Sequence, residues 1–185
     1  EFGAMYIIEV ARGCGRHCRF CMAGYCFRVP RVRPLEILKE GVDRAINIID
    51  STDINNDKIL VVYIPDIHES LAGIVAGRVK EQYNKPTIIL TKSEEGVKGS
   101  ARSIEEYNMF EGLLACKELL DKFGGHPMAA GLSLQEDKVD ELRIALNNKC
   151  ELTDEDLTRK IMIDSSLPLE YLNLHLIEEL NVLEP

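Results

Sequence analysis

The 185-residue sequence contains no apolar run long enough to cross a bilayer. Its longest, such as ILVVYI at 59–64, are strand-length, whereas a spanning helix needs roughly 20 apolar residues. No basic segment leads into an apolar stretch and a small-residue cleavage site, so nothing points to export. A general excess of positive charge is also absent: 22 Lys and Arg stand against 31 Asp and Glu, a net charge of −9. The imbalance is uneven. Residues 1–45 hold eight basic and five acidic side chains, leaving 14 basic against 26 acidic in 46–185. A global electrostatic grip on nucleic acid is thereby excluded for the larger part, and any polyanion bound there must meet a local site. There is no internal repeat and no low-complexity segment. These absences lead to an expectation of a soluble, cytoplasmic protein with no membrane partner, whose 45% hydrophobic content is enough to build a core.

The apolar pattern alternates between strand-like and helix-like segments. MYIIEVA (5–11) suits a buried strand that leads into a cysteine-rich loop. VPRVRP then separates the loop from LEILKEGVDRAINIID, where Leu35, Leu38, Val42, Ala45 and Ile49 recur at helical spacing. After the polar break DSTDINND, the strand KILVVYIPD precedes a helix, ESLAGIVAGRVKEQY, and a second strand, KPTIILTK. A third strand, GVKGSARS, is followed by an amphipathic helix over YNMFEGLLACKELLDKF. A fourth strand, HPMAAGLSL, and a closing helix, KVDELRIALNNK, complete a compact α/β domain ending near Cys150. The remaining tail predicts one strand (about Arg159 to Ile163) and one helix (about Pro168 to Leu180). Cys116 and Met109 fall in the apolar helix stripe and read as core, as does Phe110; Cys150 reads as an ordinary thiol and His175 as structural.

Two segments carry chemistry. The first is GCGRHCRFCMAGYC, in which Cys14, Cys18 and Cys21 form C-x3-C-x2-C with Phe20 just before the third cysteine. Clustered thiols without an export signal read as metal ligands before disulfides. Three thiolates from one loop can hold three irons of a [4Fe–4S] cluster and leave the fourth open to a small molecule. A zinc site is the alternative, with Cys26 or His17 as fourth ligand. Arg16, His17 and Arg19 either offset a cluster's negative charge or are solvated loop residues. The spacing, after an apolar strand, resembles the radical S-adenosylmethionine superfamily, and the resemblance implies a cluster that binds and reductively cleaves S-adenosylmethionine. It covers about residues 1–45, a strand, cluster loop and helix of a barrel normally several times longer. The glycine-rich strand end and substrate-binding strands of such a barrel have no counterpart after Ala45.

The second segment begins near Ile46. In VKGSARS (97–103), strand alternation sends Lys98, Ser100 and Arg102 to one face and Gly99, Ala101 and Ser103 to the other. Two cations and a hydroxyl on one face suit a phosphate, whose oxygens match the planar donor fork of Arg. In FGGHPMAAG, Gly124 and Gly125 permit close approach of a ligand, and His126 adds a ring donor beside exposed N–H groups. The bland readings are a glycine C-cap after a helix and a structural histidine.

Together with HESLAGIVAGRVKEQYNKPTIIL and the tail IDSSLPLEYLNLHLIEELNVLEP, these motifs resemble the C-terminal half of RecJ-type single-stranded-DNA-specific exonucleases. That half is a DHH-associated domain followed by the start of an OB-fold. The resemblance covers about three quarters of the chain. It implies an α/β domain with a mixed sheet and flanking helices, in which Lys98, Gly99, Ser100, Arg102, Gly124, Gly125 and His126 receive a 5′-phosphorylated single-strand DNA end; His68 and Arg78 are weaker candidates.

Hydrolysis in that family is implied to need a DHH domain whose aspartates and histidines hold divalent metals. No Asp-His-His triplet occurs in this sequence, so neither Mn nor Mg nor nuclease activity is expected of it. The expected division is a radical S-adenosylmethionine-like fragment at 1–45, a junction at 46–57, the DHH-associated domain at 58–150 and a truncated OB-fold start at 151–185. A chimera of two gene fragments is one expectation for this arrangement, and a cluster-binding enzyme fragment is the alternative.

Overall fold

The computed structural model describes residues 11–12, 31–32, 35–94, 96–160 and 173–176. Two short strands, β1 (Ala11–Arg12) and β2 (Arg31–Val32), pair antiparallel, Ala11 opposite Val32. They bracket the cysteine loop, but Cys14, Cys18 and Cys21 themselves lie outside the described residues, as do His17 and Cys26.

Helix α1 (Leu35–Ser51) begins the main body. It is followed by strand β3 (Leu60–Tyr63), helix α2 (Glu69–Tyr83), and strands β4 (Thr87–Ser93) and β5 (Gly96–Arg102). Helix α3 (Met109–Leu114), the hairpin strands β6 (Lys122–His126) and β7 (Ala129–Leu134), and helix α4 (Val139–Asn148) complete it. The five strands of this body form one sheet in the order β3-β4-β5-β7-β6, parallel between β3 and β4 and antiparallel elsewhere. The fold is therefore mixed α/β, as expected. The parallel pair follows from the α2 crossover, since two adjacent parallel strands need a long connection, whereas β6 and β7 need only the short turn at Pro127 and Met128.

The alternating strand residues feed two cores. Leu60, Val62 and Ile89 pack with Leu38, Ala45 and Ile49 of α1 and with Leu71, Val75 and Val79 of α2. On the other face Val61, Ile88, Leu90, Val97, Ala101 and Leu132 pack with Met109, Leu113 and Cys116 on the α3 side and with Leu142 and Leu146 of α4. Cys116 is thus a core residue, Cys150 packs half-buried against the same cluster, and Phe110 meets Phe123 with ring centroids 5.9 Å apart. Helix α1 runs unbroken through the division expected at 45/46, because the side chains on both sides of that point enter one core.

Local chemistry sets the ends of the elements. The His68 ring caps α2 by accepting from the Ser70 N–H, and Asn84 closes it with a left-handed φ of 51°. Asn147 ties α4 to the sheet, its side-chain oxygen accepting from the Lys58 and Ile59 N–H groups and its amide donating back to the Ile59 carbonyl.

One expected element is different. The helix expected to run from Tyr107 to Phe123 stops at Leu114, a 3-10 turn covers Lys117–Leu119, and Lys122–His126 is an edge strand. Leu113, Cys116, Leu120 and Phe123 recur at helical spacing and all reach the same core, so periodicity alone suggests a continuous helix. Pairing with β7 wins, beginning with the Asp121 N–H donating to the Ser133 carbonyl at 2.8 Å. The Gly-Gly pair therefore belongs to a strand rather than to a helix C-cap. Similarly, Arg159 and Lys160 are not in a strand, while most of the expected tail strand and helix lies outside the described residues; 174–176 are helical, with His175 exposed.

Ile49→Ala should lower the stability of the whole sheet body by about 2–5 kcal/mol, because it opens a cavity where the side chain is fully buried. Urea denaturation followed by circular dichroism should show one transition shifted as a unit; a local change that leaves the main transition in place would separate α1 from this core.

Candidate functional site

Strand register builds the site. On the face of the sheet that carries α2, three cross-strand rows run through β4, β5, β7 and β6: Thr91–Lys98–Ser133–Lys122, Ile89–Ser100–Gly131–Gly124 and Thr87–Arg102–Ala129–His126. Helix α2 packs over β4 and β5. Beyond it the face is open, and a groove of about 670 Å³ runs between the start of α2 and the three outer strands. Lys98, Ser100, Lys122, Gly124, Gly131 and Ser133 line it from the sheet, with Glu69 and Ser70 at its helix side.

The glycines separate into two kinds. A Cβ added at Gly124 would meet nothing within 4 Å, and one at Gly131 only the Gly99 carbonyl at 4.0 Å. These register partners therefore form a bare backbone floor where a ligand can approach closely. Gly99 and Gly125 are instead demanded by packing. A Cβ at Gly99 would lie 2.4 Å from the Leu90 side chain, and one at Gly125, where φ is +156°, would lie 2.3 Å from the Ala129 carbonyl oxygen. Gly73 is a third case, on α2: a Cβ there would come within 3.0 Å of both Arg102 Nη2 and Ser100 Oγ, so its absence lets the helix close down on the polar row.

The cations are held differently. Lys98 Nζ pairs with Glu69 at 3.1 Å, with both side chains about half exposed, an arrangement that contributes little and exchanges readily. Lys122, exposed on the edge strand, has no ion pair among the described residues. Arg102 is partly buried and donates from Nη1 to Ser100 Oγ at 3.2 Å and to its neighbour's carbonyl, that of Ala101, at 2.8 Å. No carboxylate among the described residues pairs with it, and burial pulls its pKa below the ordinary arginine value. A desolvated guanidinium with only neutral partners gains most from an incoming anion.

Of the residues expected from sequence, Lys98, Gly99, Ser100 and Gly124 line the groove, and Arg102 reaches it through Ser100. His126 occupies the end of the Arg102 row, exposed, its Nδ1 accepting from the Met128 N–H at 3.3 Å. His68 is engaged in capping α2, Arg78 pairs with Glu81 at 2.8 Å, and neither lines the groove. Lys122, Gly131, Ser133 and Ser70 are lining residues that the sequence reading missed. Lys122–Gly124–His126 is a period-2 pattern, but it was masked by the helical spacing of the residues before it. Among the described residues, no group of three or more His, Cys, Asp or Glu is placed to hold a metal ion.

Comparison with known proteins bears on the family and the fold. Residues 56–152 match the family described as the DHHA1 domain. The single-stranded-DNA-specific exonuclease RecJ of Bacillus subtilis is 35% identical over 154 residues, covering 81% of this chain and 20% of the relative. The RecJ of Haemophilus influenzae is 37% identical over 126 residues, covering 64% of this chain and 22% of the relative. The crystal structure of RecJ in complex with Mg2+ from Thermus thermophilus superposes with a TM-score of 0.62 at 25% identity, covering 80% of this chain and 23% of that one. The chain thus spans about a fifth of the length of the curated relatives it matches.

The two glycines of the β6 pair should respond oppositely to the same change. Gly124→Ala should leave stability unchanged or raise it by about 0.5 kcal/mol, because strand glycines are entropically costly. Gly125→Ala should lower stability by about 1–3 kcal/mol through overpacking. Equal effects in urea denaturation would contradict the assignment of Gly124 to open space and Gly125 to packing.

Proposed function

The chain belongs to the DHHA1 domain family, and on that premise we propose that its open sheet face binds the end of a single DNA strand through the strand's 5′-phosphate. The observation that carries the reading is Arg102: a partly buried guanidinium with no carboxylate partner among the described residues, hydrogen-bonded to Ser100 at the rim of a groove with a bare glycine floor. A terminal phosphate offers several acceptor oxygens and more than one negative charge, which suits the forked donors of Arg102 together with the Ser100 hydroxyl. Gly124 and Gly131 leave room for the sugar and base of the terminal nucleotide, and His126 stands in the Arg102 row with a ring able to donate from Nε2 while Nδ1 accepts from Met128.

Single-stranded DNA is the substrate class supported by the relatives, which are single-stranded-DNA-specific exonucleases whose sequences run well beyond the segment matched. Charge supports a local rather than a diffuse contact. The whole chain carries −9, yet Lys98 and Lys122 line one groove with Arg102 behind Ser100, and Glu69 is the one carboxylate among its lining residues. The role is binding and positioning of a strand end; no step of hydrolysis is assigned to these side chains.

Fluorescence anisotropy with a single-stranded oligonucleotide should show tighter binding when the 5′ end is phosphorylated. Arg102→Ala should weaken binding of the phosphorylated strand about tenfold or more and abolish the preference, since hydrogen bonds to charged groups contribute about 1.5–3 kcal/mol. An Arg102→Ala variant that keeps the wild-type preference would reject the assignment.

A further inference from the structure

We propose, building on the strand-end reading, that Lys98, Ser133 and Lys122 form a second phosphate subsite, which takes an internal phosphodiester of the same strand. These three residues are direct register partners on β5, β7 and β6, and all line the groove. Neighbouring strands lie about 4.8 Å apart, so the two lysine Cα atoms stand about 10 Å apart with Ser133 midway between them. Flexible four-carbon stems let both ammonium groups converge on an anion over the Ser133 hydroxyl.

The layout suits a separate phosphate. Along β5, Lys98 is two residues from Ser100 and four from Arg102, about 7 Å and 14 Å at the rise of an extended strand. The donor ends of Arg102 and Ser100 meet at 3.2 Å in one row, and the two lysines flank Ser133 in the next, so the groove offers two centres for phosphate, one per row. A ligand that engages both presents at least two phosphates and passes its sugar over the intervening row, where Gly124 and Gly131 leave the backbone bare. The donor types differ accordingly: a guanidinium fork suits the terminal monoester, while point-charge ammonium groups suit a singly charged diester. Lys122 has no ion pair among the described residues, and Lys98 is held only by the half-exposed Glu69, so both charges are available to a backbone phosphate. The strand end then lies toward the Arg102 row and the rest of the strand leaves past Lys122.

The test uses the full chain and 5′-phosphorylated single-stranded DNA, with one neutral methylphosphonate linkage walked through the first three internal positions. In the wild type, one neutral position should weaken binding by about three- to tenfold. Lys122→Ala should show that same loss on the native strand and no further loss when that position is neutral. It should also lower the slope of log K against log salt by about 0.7, the value for one single-strand phosphate contact, while keeping the 5′-phosphate preference. A Lys122→Ala variant with wild-type affinity and salt slope, or one equally sensitive to every neutral position, overturns the subsite. Loss of the 5′-phosphate preference in Lys122→Ala also overturns it, because one site would then serve both roles. A wild-type protein with no 5′-phosphate preference but a Lys122-dependent neutral position would refute the strand-end reading and leave the subsite standing. Absence of binding by the wild type refutes both.

Discussion

Everything at the candidate site depends on the register between β5, β7 and β6. Side chains alternate across a sheet, so a slip of one residue would carry Lys98, Ser100 and Arg102 into the core and expose Val97 and Ala101. The apolar face prevents this. Val97 opposite Leu134 and Ala101 opposite Ala130 are buried, and only a glycine fits at 99, because the Leu90 and Leu132 side chains fill the space a Cβ would need. Gly125 adds a second lock at the edge, since its positive φ and close approach to Ala129 and Ala130 tolerate no side chain. The packing of one face thus specifies the chemistry of the other.

That chemistry is a local reversal of charge. A chain with a net charge of −9 places Lys98 and Lys122 in one groove with Arg102 beside it, and Arg102, the most withdrawn from water of the three, has only neutral partners among the described residues. Burying a cation beside neutral partners costs free energy in the free protein. The cost is tolerated because Ser100, the Ala101 carbonyl and the close packing of α2 at Gly73 hold the guanidinium in place. Arg102 is therefore oriented before any ligand arrives, which spares part of the ordering cost of binding.

Helix α1 shows how far the sheet body extends. The expected division at 45/46 falls inside one helix whose Leu38, Ala45 and Ile49 belong to the same buried cluster as α2 and the parallel strands. Net charge is +3 over residues 1–45 and −12 over 46–185, with the positive excess lying before the helix, while the buried cluster runs across 45/46 without a break. Surface charge and core membership are separate properties of a helix, and only the second marks the boundary of a folding unit.

Much of this protein was legible in the linear pattern. The α/β alternation, the helices beginning at Leu35 and Glu69, the β5 face of Lys98, Ser100 and Arg102, and the core role of Cys116 all follow from period-2 and period-3.6 spacing, which reports the environment each side chain needs. The tertiary structure alone decided three matters. It turned Lys122–His126 into a strand, because β7 offered hydrogen bonds that outweighed a helical apolar pattern; it distinguished the open glycines, Gly124 and Gly131, from the packed ones, Gly99 and Gly125; and it brought Lys122 and Ser133 beside Lys98. Those three outcomes depend on which strand lies next to which, and sequence spacing within a single strand carries no information about its neighbours.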